Sequence, residues 1–177
     1  MEVFQGRPAD VTGRLEKEIA VYDLLDQLDI PFRRVDHDHA DTMEMCQEID
    51  QALGQDICKN LFLCNRQKTK FYLLLMPGSK PFKTKDLSVQ IGSSRLSFGG
   101  PEDMERLLHL TPGSVTVLGL MYDPDCQVTL LIDQDLYQQT AFGCHPCINT
   151  STVQFSTADL REKLLPALGH PVTLVQL

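Results

Sequence analysis

Two apolar runs, Asn60–Cys64 and Phe71–Met76, lie only a few residues apart, and the linker Asn65-Arg66-Gln67-Lys68-Thr69 is wholly polar. That spacing leaves no room for a crossover helix. The two runs must therefore pair as an antiparallel hairpin, and the chain cannot be a strictly alternating βαβ protein. The rest of the sequence agrees. Leu15, Ile19, Leu24, Leu25 and Leu28 fall at helical spacing over residues 15–29, and Pro31 ends that run before strand-like Phe32–Val35. Asp41-Thr42-Met43-Glu44 reads as a capping box opening a helix that Gly54 closes near Leu53.

Further along, Lys83–Gln90 predicts a short helix stopped by Gly92, and Arg95–Phe98 a short strand. Pro101-Glu102-Asp103 opens another helix, with proline in the first turn and acids at the positive end of its dipole. Val115–Met121, Gln127–Ile132 and Thr152–Phe155 read as strands. Ser156 or Thr157 caps a helix to about Leu168 that Pro166 threatens to kink, and Pro171–Leu177 offers a last strand. Residues 1–177 thus form one α+β domain, with a mixed, mainly antiparallel, barrel-like central sheet flanked by helices.

The segment Phe142–Thr150 concentrates the chemistry, because Gly143, His145, Pro146, Asn149 and Thr150 fall within nine positions. Glycine admits a close approach of backbone to ligand, and proline fixes a turn. Histidine titrates near neutrality and can serve as acid, base or donor. A tight turn with a capping histidine is the plainer reading of the same residues. Cys144 and Cys147 make a C-x-x-C, but they precede a strand rather than opening a helix in a βαβ unit, so a thiol redox centre is disfavoured. No second C-x-x-C exists to complete a zinc site, and His37 and His39 read as exposed loop residues. The expectation is no metal and no cofactor. Lys59 and Asn60 stand at the start of the first hairpin strand, where a lysine can neutralise a phosphate or polarise a carbonyl. Phosphate-binding glycine loops, G-x-S-x-G and H-E-x-x-H are absent.

The net charge of −8 at first argues against nucleic acid. Its distribution does not. Lys59, Arg66, Lys68, Lys70, Lys80, Lys83, Lys85 and Arg95 are interrupted only by Asp86, so residues 59–95 carry +7. The remainder holds eight bases against 23 acids, or −15. A patch so segregated can hold a phosphate backbone on an acidic protein, although solvated hairpin turns would also place charge there. No apolar run is long enough for a membrane span, and the first residues lack a signal-peptide pattern, so the expected setting is cytoplasmic, without membrane contact.

Four landmarks occur in order: Lys59-Asn60-Leu61-Phe62-Leu63, Arg95-Leu96-Ser97-Phe98, Thr111-Pro112-Gly113-Ser114-Val115, and Gly143-Cys144-His145-Pro146 with Asn149-Thr150. In these the chain resembles the YbaK-like aminoacyl-tRNA deacylases, related to the editing domain of bacterial prolyl-tRNA synthetase. It is most similar to their free-standing prolyl-tRNA editing members (ProX or PrdX type). The resemblance implies hydrolysis of mischarged tRNA(Pro), foremost alanyl-tRNA(Pro), with Lys59 and His145 catalytic. Asn60, Gly143, Pro146, Asn149 and Thr150 would hold substrate. Arg66, Lys68, Lys70, Lys80, Lys83 and Lys85 would follow the tRNA backbone. The implied partners are the tRNA(Pro) acceptor end and, secondarily, prolyl-tRNA synthetase, not DNA. Cys144 and Cys147 depart from the family pattern, which puts the choice of amino acid in question. A binding module of the same fold, or a deacylase for cysteine or serine, is the alternative.

Overall fold

The computed structural model describes residues 1–177. Nine strands divide between two sheets. The first, in the order β1-β2-β8-β7, joins β1 (Phe4–Gln5), β2 (Arg33–Asp36), β8 (Ser151–Ser156) and β7 (Ala141–Cys144), all antiparallel. The second runs β5-β3-β4-β6-β9, with β5 (Ser97–Phe98), β3 (Lys59–Cys64), β4 (Phe71–Met76), β6 (Val128–Asp133) and β9 (Val172–Val175). The hairpin forms as expected, Lys59 opposite Met76 and Cys64 opposite Phe71. β6 then adds to β4 in parallel and β9 to β6, so the arrangement is mixed and mainly antiparallel.

β4 is buried along its whole length, the pattern of a strand covered on both faces. Its side chains alternate. Phe71, Leu73 and Leu75 enter the main core, while Tyr72, Leu74 and Met76 enter a second cluster with Leu87 and Leu96.

The helices are α1 (Glu16–Gln27), α2 (Met43–Leu53), α3 (Thr84–Ile91) and α4 (Pro101–Leu108), followed by a composite C-terminal helix. α2 begins one residue later than the capping-box reading placed it. Thr42 Oγ1 accepts from Met45 N at 3.2 Å, while the Asp41 carboxylate turns away to accept from Asn149 Nδ2 at 2.8 Å. Gly54 closes α2 in the left-handed region (φ 68°). Pro166 neither ends nor breaks the last helix. The turn before it, Leu160–Leu164, widens to a π-helix and α-helix resumes over Leu165–Leu168, which removes the demand for a proline N–H.

One expected strand is not a strand. Val117–Tyr122 is a 3-10 helix started by Thr116, whose hydroxyl accepts from Leu118 N. A short, buried apolar run carries no periodicity that separates the two conformations. In the other direction, β1 and β7 form where no strand was expected; both are short.

Candidate active site

β8 is the spine of the site. β2 pairs along one edge, with Asp36 opposite Ser151, and β7 along the other, with Cys144 opposite Val153. The residues that leave those neighbours, His37 after β2 and His145 after β7, therefore arrive on either side of the start of β8. Thr152, itself buried, lies between them. Their rings are 6.0 Å apart and tilted by 56°.

His145 Nδ1 is 2.8 Å from the Ser151 carbonyl and 3.4 Å from Thr152 Oγ1. A carbonyl only accepts, so Nδ1 carries the proton, and in the neutral ring Nε2 is an acceptor with no protein partner. Burial holds the His145 pKa below the ordinary histidine value. The hydrogen bond to Ser151 opposes that shift, and nearby His37 reinforces it.

Lys59 opens β3 in the other sheet. Its ammonium donates to the Lys80 carbonyl, which leaves two of its three protons free. Lys59 and His145 line the same cleft, about 530 Å³ in volume, with Thr152. Met43, Cys46, Ile49 and Asp50 of α2 form one wall, and Ile57 and Cys58 also line it. An adjoining chamber of about 210 Å³ shares Ile57, Cys58 and His145 and adds Asn60, Val115 and Cys144.

Ile57 drew no attention in the sequence, yet it is wedged between two glycines. A Cβ on Gly143 would lie 2.4 Å from Ile57 Cδ1, and one on Gly78 would lie 2.2 Å from Ile57 O. Gly143 therefore serves close packing inside β7, opposite Gln154, rather than an open ligand loop. His37 and Thr152 were also missed as site residues. The signal available was His37 immediately after the strand-like Phe32–Val35, but only sheet register reveals what it faces.

The remaining expected residues separate. Asn60 lines the chamber, but its Oδ1 accepts from Val117 N at 3.2 Å and its amide approaches Cys58 Sγ at 3.3 Å. Pro146 is buried in the turn after β7. Asn149 and Thr150 line a different cavity, on the side of Arg14 and Lys17. There Asn149 is a latch: its Oδ1 accepts from Ala40 N at 3.1 Å and its amide donates to Asp41. Thr150 offers its carbonyl to His37 N at 3.0 Å.

Arg66, Lys68, Lys70, Lys83 and Lys85 are exposed, the first three in the β3–β4 turn and the last two at the start of α3. Lys80 is not part of that surface. It pairs at 2.8 Å with both Asp133, which is buried, and Asp135. Cys144 and Cys147 are buried free thiols, each pushed up to about 12 by burial, so neither is poised as a thiolate.

A histidine with an acceptor nitrogen and a lysine share one cleft, an arrangement chemically able to bind a carbonyl-bearing ligand and to activate water beside it. The sequence pattern of the aminoacyl-tRNA editing domain matches residues 37–163, and the chain belongs to that family. It is 31% identical over 163 residues to the prolyl-tRNA editing protein ProX of Acetoanaerobium sticklandii, spanning 92% of this chain and 99% of that protein. It is 28% identical over 169 residues to prolyl-tRNA synthetase associated domain-containing protein 1 of Danio rerio, spanning 94% of this chain and 88% of the relative. In fold it is similar to the crystal structure of a candidate trans-editing enzyme for prolyl tRNA synthetase. That match has a TM-score of 0.65 and 17% identity, covering 92% of this chain and 98% of the other. No helix is long and apolar enough to cross a membrane.

Proposed function

We propose that the chain is a trans-editing deacylase that hydrolyses the aminoacyl ester of mischarged tRNA(Pro), with alanine as the amino acid removed. The observation that carries this reading is the shared cleft: Lys59 and His145, whose Nε2 is left as an acceptor, line one space in a chain of the editing-domain family. The Lys59 ammonium binds the terminal phosphate or ribose and offsets the negative charge that develops on the ester oxygen. His145 Nε2 takes a proton from water as its oxygen bonds to the ester carbon. The C–O ester bond then breaks, and the proton passes to the departing ribose oxygen. An aminoacyl ester is already activated, so positioning and charge stabilisation suffice. Cys58 and Cys144 stay protonated under burial and form no covalent intermediate.

The adjoining chamber suits a small side chain such as the alanyl methyl, and excluding the larger proline by size is the easier direction of discrimination. Asp50 and Asp56 line the same cleft and offer carboxylates to the substrate α-ammonium. Arg66, Lys68, Lys70, Lys83 and Lys85 follow the acceptor stem. A complex with prolyl-tRNA synthetase is the second partner, to be sought by co-purification.

The test is release of labelled amino acid from alanyl-, prolyl-, cysteinyl- and seryl-tRNA(Pro) and from alanyl-tRNA(Ala). Selective loss of alanine from tRNA(Pro) is expected, slowed by about 100-fold or more in His145→Ala and Lys59→Ala. Tight binding without hydrolysis of any of them would make the protein a tRNA-binding module instead.

A further inference from the structure

His37 belongs to no role described so far, yet its hydrogen bonds have a single consistent direction. Its Nδ1 is 2.6 Å from the Asp38 carbonyl, and its Nε2 is 2.9 Å from Thr152 Oγ1. The carbonyl can only accept, so neutral His37 carries its proton on Nδ1 and Nε2 must accept. The Thr152 hydroxyl proton therefore points at His37. The same hydroxyl oxygen lies 3.4 Å from His145 Nδ1, which already donates to Ser151 O.

That geometry is a competition with one winner. A Thr152 proton freed from His37 has His145 Nδ1 as the other nitrogen in reach, and there it competes with the demand of the Ser151 carbonyl for a donor. A hydroxyl donating there requires the proton of His145 on Nε2, the nitrogen that serves the cleft. By drawing the hydroxyl proton away, His37 leaves only acceptors beside His145 Nδ1.

We infer that His37 is a positioning residue which, by accepting from Thr152, holds His145 in the Nδ1–H tautomer and keeps Nε2 unprotonated towards the cleft. The backbone fixes the partners in place. His37 N donates to Thr150 O at 3.0 Å, and the Asn149 latch ties Ala40 and Asp41 to the same loop. The catalytic consequence rests on the deacylase reading; the tautomer does not.

The test reads the imidazole nitrogen resonances of His37 and His145 in the intact protein, without substrate. Both rings should show the Nδ1–H tautomer in the wild type; an Nε2–H His37 or an Nε2–H His145 would overturn the inference with no variant needed. In His37→Leu the freed hydroxyl should move His145 to a mixture of tautomers. Removing the hydroxyl as well, in His37→Leu/Thr152→Val, should restore the Nδ1–H form, because Ser151 O is then alone beside Nδ1.

Deacylation should follow the same order. His37→Leu loses roughly tenfold in kcat with little change in KM, the mark of a misplaced base proton. The double variant should be faster than His37→Leu, a suppression that a purely structural role does not produce. Losses that simply add, or a His145 tautomer indifferent to His37, would sink the proposal. If the tautomers behave as described while no aminoacyl-tRNA is hydrolysed, the deacylase reading fails and the role of His37 stands.

Discussion

His145 and His170 each place Nδ1 against a backbone carbonyl, Ser151 O at 2.8 Å and Leu168 O at 3.1 Å, but their second nitrogens meet opposite fates. His170 Nε2 is 2.9 Å from Asp123 Oδ2, and both side chains are 1% exposed. Asp123 also accepts from Gln127 N and Val128 N, so every polar atom of the pair is satisfied. That pair ties the turn before β6 to the end of the last helix. His145 Nε2 has no partner, and the residue borders two cavities. A saturated buried histidine is a fastener; one left with a free nitrogen on a cavity is available for chemistry.

The largest effect should separate the two by readout. His145→Ala is expected to cost about 100-fold or more in deacylation with the melting temperature nearly unchanged. His170→Leu should lower stability by about 3 kcal/mol, because it leaves the buried Asp123 carboxylate without its Nε2 hydrogen-bond partner, while activity per folded molecule persists. Calorimetry and turnover on the same samples would break the comparison if the responses were exchanged.

Next in size is the acid response. Neutral His145 is the working form and its pKa is lowered, so kcat/KM should hold at pH 6.5 and decline only below it. The fold should outlast that decline. Burial raises the Asp36 pKa, but hydrogen bonds from Arg14 and Arg34 outweigh it and hold the group at about 2. Its stabilising contribution is then complete above the unfolded value of about 3.9 and is lost as pH falls through 2. A circular dichroism melt that collapses before activity does would contradict this ordering.

A smaller effect divides the basic residues. Arg66→Gln should weaken tRNA binding and reduce the magnitude of the salt slope by about one unit, whereas Lys80→Gln should lower the melting temperature and leave the slope alone. The smallest concerns the thiols. Maleimide should label exposed Cys46 and Cys126 and spare Cys144 and Cys147.

The hairpin, α2 with its glycine stop and the proline-started α4 were legible because each is written in local spacing or in a terminal residue. Lys59 and His145 were legible as individuals, and the structure brings them to one cleft. What the sequence withheld is set by pairing across distance. Thr152 becomes the middle of a hydrogen-bonded chain only because β2 and β7 flank β8. Asn149 reads as a polar ligand residue, yet its partners are Ala40 and Asp41, more than a hundred positions away. Lys80 looks like its basic neighbours until Asp133 is seen beneath it. The apolar stretch at Val117–Tyr122 misled because burial, not periodicity, set its composition.

The wall and the chemistry of the cleft come from separately anchored parts of the chain. α2 is moored at its start by the Asn149 latch and at its end by Arg33 and Gln154, which both donate to Leu53 O, and by Asp50, which accepts from Ile57 N. None of these moorings involves Lys59 or His145. The inward-facing side chains of α2 can thus be exchanged like the bitting of a key, altering what the cleft admits while the hydrolytic residues keep their places. Substitutions along this one helix of eleven residues reach the cleft wall alone, because the adjoining chamber takes none of its lining from α2.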